Sequence, residues 1–406
     1  MAMNIKILIS LAIGFTLSIF PELMMAETMA VNPAINQSLK VNRPLPSIPS
    51  PPALDVKAYV LMDADSGYVI AEANSNERLS IASLTKLATL YVVAESLKVS
   101  NIKLDSLTLV SEKAWRTGGS KMFIEVNKKV SLEDLIMGLV VASGNDATIT
   151  LAEYFGGTEE SFVEQMNQVA TSLVLENTKF VDSTGLSDDN YSSALDMALL
   201  AKAWINNFPE YYPWFKEKWM VFNGIKQPNR NRLLWSDESV DGLKTGHTNE
   251  AGYCLAVSAR RGDTRLIAVV LGSKSEALRA MQSEALLNYG FRFYETNKVL
   301  AGGVVLNNVQ TFYGKKNSTP IGLAEDVYVT VPIGKYPDVK AKVLIEGYLN
   351  APIRRGEVCA KLEVSLGEKV IALKPLVALQ DNLRTNPVGV VFDYLKKILY
   401  GLCHKK

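Results

Sequence analysis

Residues 240–272, VDGLKTGHTNEAGYCLAVSARRGDTRLIAVVLG, decide the fold, because they hold three consecutive strand-like runs. The runs at 240–245, 252–259 and 265–272 are apolar, and residues that favour turns separate them. A helix is predicted directly after them, over 275–289. Near the other end of the chain, 57–62 and 68–73 are two more strand-like runs. The turn formers Asp63-Ala64-Asp65-Ser66-Gly67 lie between those two, which predicts a hairpin.

Helical periodicity fills the space between the hairpin and the three later strands. Apolar residues recur at helix-like spacing over 83–97, and further helices are predicted near 131–141, 144–155, 159–175 and 192–206. The order is therefore hairpin, helical block, three strands and helix. This order predicts an α/β domain over 56–294, in which one sheet combines strands from both ends and a helical lobe is inserted between them.

The pattern changes after about residue 295. Short strand-like runs separated by Asn and Gly turn signals predict a small all-β domain over 295–385. The last segment, 386–406, begins with Asn386-Pro387, a pair typical of a helix start. On a helical wheel its apolar residues fall on one arc, while Asp393, Lys397 and His404 point away. The segment 387–406 is too short and too charged to span a bilayer, so it predicts a helix lying on anionic lipid; the alternative is a helix docked on the protein itself.

The N-terminus resembles an export signal. An apolar run at 7–20 follows Lys6, and small residues follow that run, so residues 1–30 are predicted to be a cleaved signal peptide. The alternative is an uncleaved N-terminal anchor. Residues 31–55 contain six prolines and predict an extended lead-in rather than a core element.

Composition excludes several classes of function. The 406 residues carry 43 basic and 42 acidic side chains, a net charge of +1, which gives no electrostatic footprint for nucleic acid. The three cysteines form no Cys-x-x-Cys pair or Cys/His cluster, so no metal site and no other cofactor is expected. Composition leaves open whether the protein is a monomer or a homodimer.

Three short motifs carry the predicted chemistry: Ser83-Leu84-Thr85-Lys86, Ser143-Gly144-Asn145 and Lys244-Thr245-Gly246. A serine hydroxyl needs a base to become a nucleophile. Histidine is scarce, since the chain has only His247 and His404. A lysine can replace it if burial or a neighbouring cation lowers its pKa far below its usual value.

Lys86 fits this role best, because residues three apart share a helix face and Ser83 is expected to open a helix. Lys244 is the candidate neighbouring cation. Gly246, with no side chain, is expected to let a substrate backbone approach closely. Ser100-Asn101-Ile102-Lys103 repeats the first pattern without such a helix, which shows that each motif alone is weak.

The combination of the three motifs, in this order, is typical of serine β-lactamases and penicillin-binding proteins. Residues 82–86 and 241–248 closely resemble the D-alanyl-D-alanine carboxypeptidases among the low-molecular-mass penicillin-binding proteins. The order of signal peptide, transpeptidase-like domain, small β domain and amphipathic anchor resembles that family too. The resemblance implies a β-lactamase/transpeptidase-like fold for 56–294. It also implies a protein at the periplasmic face of the inner membrane, acting on peptidoglycan stem peptides and acylated by β-lactam antibiotics.

The resemblance also implies roles for single residues. Ser83 would attack the carbonyl between two terminal D-alanines, Lys86 would take its proton, and Ser143 would relay a proton to the leaving amine. Asn145 would hold a substrate amide, and the backbone N–H groups of Ser83 and His247 would form the oxyanion hole.

At the other end of the site, the resemblance implies recognition of the terminal carboxylate. Lys244 would supply positive potential and Thr245 would bind the carboxylate. Arg230, in Asn229-Arg230-Asn231-Arg232, matches an arginine of the family that assists this recognition.

Two alternatives remain at this point. A serine β-lactamase shares the three motifs, but the commonest class has Ser-Asp-Asn, followed by a Glu-x-x-Leu-Asn loop. This chain has Ser-Gly-Asn, and no Glu-x-x-Leu-Asn lies between Asn145 and Lys244; the matches at 284–288 and 346–350 come after the third motif. A membrane-tethered peptidoglycan-binding protein with a silent site is the other alternative. The intact Ser83, Lys86, Ser143 and Lys244 argue against it.

Overall fold

The computed structural model describes residues 48–403, with side chains through residue 398. The predicted signal peptide and most of the proline-rich lead-in lie outside the described residues. The described chain divides into two compact units, one formed by 48–298 and 328–337, the other by 299–327 and 338–403. No helix within 48–403 is long and apolar enough to cross a membrane.

The first unit alternates strands and helices. In chain order its elements are β1 (Ala58–Asp63), β2 (Val69–Ala73), β3 (Leu79–Ser80), α1 (Lys86–Val99), β4 (Leu107–Leu109), α2 (Glu112–Arg116), β5 (Lys129–Ser131), α3 (Leu132–Val140), α4 (Asn145–Gly156), α5 (Glu159–Ser172), β6 (Tyr191–Ser192), α6 (Ala194–Asn207), β7 (Trp219–Phe222), β8 (Ile225–Pro228), α7 (Leu233–Ser236), β9 (Val240–Thr248), β10 (Gly252–Arg261), β11 (Thr264–Ser273) and α8 (Glu276–Phe293). Two 3-10 helices, Ala82–Thr85 and Tyr212–Lys216, complete it.

The remaining elements follow α8. They are β12 (Tyr294–Leu300), β13 (Val305–Phe312), β14 (Ser318–Gly322), β15 (Val327–Pro332), a 3-10 helix (Tyr336–Asp338), β16 (Val339–Leu344), β17 (Leu349–Asn350), β18 (Val358–Leu366), β19 (Lys369–Ala378) and α9 (Pro387–Cys403). β12 pairs with β15, and six of the others form a sheet in the order β16-β18-β19-β14-β13-β17.

The central sheet of the first unit has the order β2-β1-β11-β10-β9, and every neighbouring pair is antiparallel. The predicted hairpin and the three predicted strands are therefore confirmed, as is their union in one sheet. The helical lobe packs on one face of this sheet in a large apolar core, and α8 packs on the other face. β9, which carries Lys244, is an edge strand.

Helix α1 lies at the centre of the helical lobe. Its residues from Lys86 to Ala94 are all buried, because its apolar side chains surround the helix on every side instead of forming one stripe. A helix of this kind has no solvent-facing side along its first two turns. Any polar side chain placed there must be satisfied by other parts of the chain.

Two sequence expectations need correction. Ser83 does not open the α-helix, since it lies in the 3-10 turn Ala82–Thr85 and α1 begins at Lys86. The lead-in is not wholly separate from the core, because Ile48 and Leu54 pack against the apolar layer under α8. The geometry of the Ser83 turn and the residues that cover α8 both depend on segments distant in the sequence. The local periodicity of apolar residues carries no information about such contacts.

Candidate active site

The three motifs meet at one place. Ser83 comes from the turn before α1, Ser143 and Asn145 from the junction between α3 and α4, and Lys244 from β9. Lys86 Nζ lies 2.9 Å from Ser83 Oγ, and Lys244 Nζ donates to Ser143 Oγ at 2.9 Å. The two lysines are each at most 2% exposed. The site therefore contains two amine–hydroxyl pairs, and both amines are shielded from water.

Lys86 has two further partners in addition to Ser83. Its Nζ donates to Asn145 Oδ1 at 2.7 Å and to the Thr184 backbone carbonyl at 2.5 Å. Thr184 was not among the predicted site residues. A backbone carbonyl leaves no trace in a motif, although the turn formers around Asp182 and Gly185 do indicate a loop at this point.

Burial is the main reason that the Lys86 amine can serve as a base. Removal from water disfavours its charged form and is the largest cause of a pKa lowered to about 7; Asp182 and Asp146 oppose this shift, and Arg230 adds to it. Of the two expected causes, burial is therefore the larger; the repulsion between Lys86 and the proposed second cation, Lys244, lowers the pKa of Lys244. The reason is that α1 is covered on all sides, and this covering outweighs any single neighbouring charge.

The pKa of Lys244 is also held well below its usual value. Burial is again the largest cause, and the cations Lys86, Arg230 and Arg279 add to it. Arg279 was not predicted either. It lies buried behind β9, where its guanidinium makes long hydrogen bonds to the carbonyls of Gly246 and Cys254, 3.5 and 3.4 Å.

Gly246 has a different function from the one expected. A Cβ at this position would lie 2.7 Å from the Ile81 carbonyl oxygen and 3.1 Å from Ser83 N. The missing side chain therefore lets β9 approach the Ser83 turn, and the space in question is filled by the protein's own backbone rather than by a substrate. His247 follows on β9 with an exposed side chain that packs on Tyr253, at 4.0 Å between ring centroids.

Asn145 and Asp146 bind the backbone of a neighbouring segment, residues 118–124. Besides accepting from Lys86, Asn145 donates through Nδ2 to the Gly118 carbonyl at 2.8 Å. The Asp146 carboxylate accepts from three successive backbone N–H groups, those of Met122, Phe123 and Ile124. This pair fixes the 118–124 segment beside the site. The prediction that Asn145 also holds a substrate amide stays a prediction.

Thr245 and Arg230 lie at the β9 end of the site. Thr245 is buried in the strand, while Arg230 is exposed between Asn229 and Asn231, which are both buried. Asn229 donates to the Glu217 carbonyl at 2.9 Å and Asn231 to the Gly242 carbonyl at 3.1 Å. The backbone on either side of Arg230 is fixed in this way, and partial burial lowers the pKa of its guanidinium.

Comparison with known proteins gives consistent matches over both parts of the chain. The family model described as D-alanyl-D-alanine carboxypeptidase matches residues 46–275, and the one described as penicillin-binding protein 5, C-terminal domain, matches 294–382. The chain is 43% identical to D-alanyl-D-alanine carboxypeptidase DacC of Escherichia coli (strain K12), over 85% of this chain and 88% of that protein.

Solved structures of penicillin-binding proteins also resemble this chain. Penicillin binding protein 5 from Haemophilus influenzae is 41% identical and superposes with a TM-score of 0.78, covering 82% of this chain and 99% of that one. Penicillin-binding protein D2 from Listeria monocytogenes, solved in an ampicillin-bound form, is 31% identical with a TM-score of 0.54. It covers 59% of this chain and 98% of its own.

Proposed function

This chain belongs to the D-alanyl-D-alanine carboxypeptidase family, and we propose that it removes the terminal D-alanine of peptidoglycan stem peptides through an acyl-enzyme on Ser83. The observation that carries this proposal is the 2.9 Å distance between the Ser83 hydroxyl and the buried Lys86 amine. With a pKa of about 7, half of the amine is neutral at neutral pH and able to accept a proton.

The hydrogen bonds of Lys86 also support its role as the base. A neutral amine has two N–H groups and one lone pair. Asn145 Oδ1 and the Thr184 carbonyl are acceptors only, so they take the two N–H groups. The lone pair is then left for the remaining neighbour, the Ser83 hydroxyl, which can donate its proton.

The reaction follows from these positions. Ser83 Oγ attacks the carbonyl carbon of the penultimate D-alanine while its proton passes to Lys86. The backbone N–H groups of Ser83 and His247 stabilise the oxyanion that forms. The C–N bond then breaks, and Ser143 relays to the leaving amine the proton that Lys86 took up, so both side chains return to their starting protonation states. Lys244 Nζ donates to Ser143 Oγ, so the hydroxyl proton of Ser143 is free for this transfer. Water cleaves the ester, which releases the shortened peptide and restores Ser83.

Recognition of a free C-terminus is assigned to the β9 end of the site. Lys244 supplies positive potential there, and Thr245 and Arg230 bind the terminal carboxylate. The guanidinium of Arg230, on a backbone fixed by its two neighbours, suits a bidentate contact with a carboxylate.

A β-lactam offers a strained amide to the same serine, so we expect it to acylate Ser83. The test is to incubate the protein with a fluorescent penicillin and, separately, with a peptide ending in D-Ala-D-Ala. Lasting labelling and release of D-alanine are expected. Ser83→Ala should abolish both, whereas Ser100→Ala, in the second Ser-x-x-Lys pattern, should change neither. Rapid turnover of penicillin would instead identify a β-lactamase, and an unlabelled wild-type protein would identify a silent scaffold.

For localisation, we propose that the protein is exported and held at the membrane surface by α9. The helix contacts its own unit through polar groups: Asp393 Oδ2 accepts from Tyr313 N at 2.6 Å, and Lys397 Nζ donates to Asn350 at 3.2 Å. Its apolar side chains Val388 and Phe392 are more than 60% exposed. A helix with its polar side on the protein and its apolar side in solvent fits an interfacial location on anionic lipid.

Deletion of 387–406 tests this assignment. The shortened protein should leave the membrane fraction and keep its activity on a soluble D-Ala-D-Ala peptide. If it still sediments with membranes, an uncleaved N-terminal segment is the anchor.

A further inference from the structure

The loop over residues 182–190 supplies one of the three partners of Lys86, and a single carboxylate organises this loop. We propose that Asp182 is a positioning residue, which holds the Thr184 carbonyl against Lys86 Nζ and thereby aims the amine lone pair at Ser83. The inference rests on the proposed function, in which Lys86 is the base. It adds a residue that belongs to none of the three motifs.

The contacts of Asp182 fill both of its carboxylate oxygens. Oδ1 accepts from the backbone N–H groups of Thr184 and Gly185, both at 2.6 Å, and from the Thr184 hydroxyl at 2.8 Å. Oδ2 accepts from Ser187 N at 2.7 Å and from Asn190 Nδ2 at 2.8 Å. Five donors converge on one side chain, so the path of the loop around Thr184 is fixed by this carboxylate.

The loop is also wedged against the catalytic turn and α1. Gly185 adopts φ +79°, and a Cβ there would collide with the Ala82 carbonyl, so the backbone of the loop touches the turn that holds Ser83. The Ser183 carbonyl accepts from Thr89 on α1 at 2.6 Å. Buried Glu159 accepts from the Ser183 hydroxyl at 2.6 Å. The Thr184 carbonyl therefore has little freedom to leave Lys86 as long as Asp182 holds its side of the loop.

Charge gives Asp182 a second effect on the same amine. Burial raises its pKa, but the hydrogen bonds from Ser187, Thr184 and Gly185 outweigh this effect, so the carboxylate stays ionised. Among the charges that act on Lys86, Asp182 is the strongest in favour of the protonated amine. The others are Asp146 in the same direction and Arg230 in the opposite one, with Lys244 on the facing strand. Neutralising Asp182 should therefore lower the pKa of Lys86.

The experiment measures the rate of labelling by fluorescent penicillin between pH 5 and pH 9. In wild type the rate should rise with pH as Lys86 loses its proton. Asp182→Asn keeps the size of the side chain, but an amide nitrogen replaces one acceptor oxygen. We expect the labelling rate at the plateau to fall by roughly tenfold, because the amine is misaligned. The midpoint should move to lower pH by about half a unit, because a nearby negative charge is lost. Asp189→Asn makes the same chemical change at an exposed position of the same loop and should leave both values unchanged.

Each labelling rate is divided by the fraction of the protein that becomes labelled at the end of the reaction. Misfolded molecules then do not affect the rate that is compared. A purely structural role would reduce that fraction and leave the midpoint where it is. Asp182→Glu provides the second variant, since it keeps the charge but displaces the oxygens: its plateau should fall while its midpoint stays. If both variants match Asp189→Asn in plateau and midpoint, the inference is overturned. A wild-type protein without Ser83-dependent labelling would overturn the proposed function itself.

Discussion

Helices α1 and α9 are both rich in apolar residues and both carry lysine, yet their lysines have opposite surroundings. In α1 the apolar side chains surround the helix, and Lys86 is fully buried. In α9 the apolar side chains lie on one exposed face, and Lys397 lies at the surface over the ring of Tyr348, 4.8 Å from its centroid. The comparison teaches that the arrangement of apolar residues around a helix decides whether a lysine is removed from water, with a lowered pKa, or remains an ordinary surface cation.

Removing the buried amine should have the largest effect. Lys86→Met keeps an unbranched chain of similar length in the same apolar space, so the fold should persist, while acylation should slow by about 10³-fold or more because the base is lost. The measurement is the rate of penicillin labelling. Lys98→Met is the matched control on the same helix, since Lys98 is half exposed near its end. Equal rates for the two variants would show that Lys86 is not the base.

The pH dependence gives a smaller effect that tests the burial of Lys86 directly. Burial lowers the pKa of the amine to about 7, so the active, neutral form is lost as pH falls through that value. At pH 6 about one tenth of the amine should be neutral, and release of D-alanine should be about tenfold slower than on its plateau. A rate that stays constant down to pH 5 would contradict a base with this pKa.

The smallest effect is expected in α9. Asp393→Asn weakens the hydrogen bond to Tyr313 N, a change that should lower the stability of the helix's attachment by about 1 kcal/mol. Activity on a soluble peptide should not change. Protease cleavage near residue 386 should become faster, and Glu368→Gln, the matching change at an exposed position of the same unit, is the control. A change in activity from Asp393→Asn would mean that α9 influences the catalytic site.

Much of the fold was predictable, because it depends on local patterns. The hairpin of β1 and β2, the strands β9–β11 and the principal helices follow from the periodicity of apolar residues, and the structure confirms them. The small pairs β3–β6, β4–β5 and β7–β8 were missed, since runs of two to four residues leave too weak a pattern. The sequence predicted that α1 begins at Ser83, whereas it begins at Lys86. Residues three apart are neighbours in both a 3-10 turn and an α-helix, so the pattern of apolar residues does not distinguish them.

The sequence predicted the reactive side chains of the site but not the residues that hold them in position. Ser83, Lys86, Ser143 and Lys244 were named from the sequence, and the structure brings them within hydrogen-bonding distance of one another in two pairs. Asp146 was missed because it binds backbone N–H groups more than twenty residues away, those of 122–124. Asp182 was missed because it binds backbone N–H groups within a loop that has no regular sequence pattern. Arg279 was missed because nothing in a helix over 276–293 indicates which strand its guanidinium will meet.

The sequence by itself determined which reactive groups this protein has and the elements that carry them, because spacing along a strand or helix fixes which side chains are neighbours. The tertiary structure alone decided what those groups can do. The pKa of Lys86 is lowered because packing around α1 excludes water from its amine, and Gly246 matters because β9 rests on the Ser83 turn. Desolvation and close backbone contact depend on what covers a residue, and that covering comes from residues remote in the sequence.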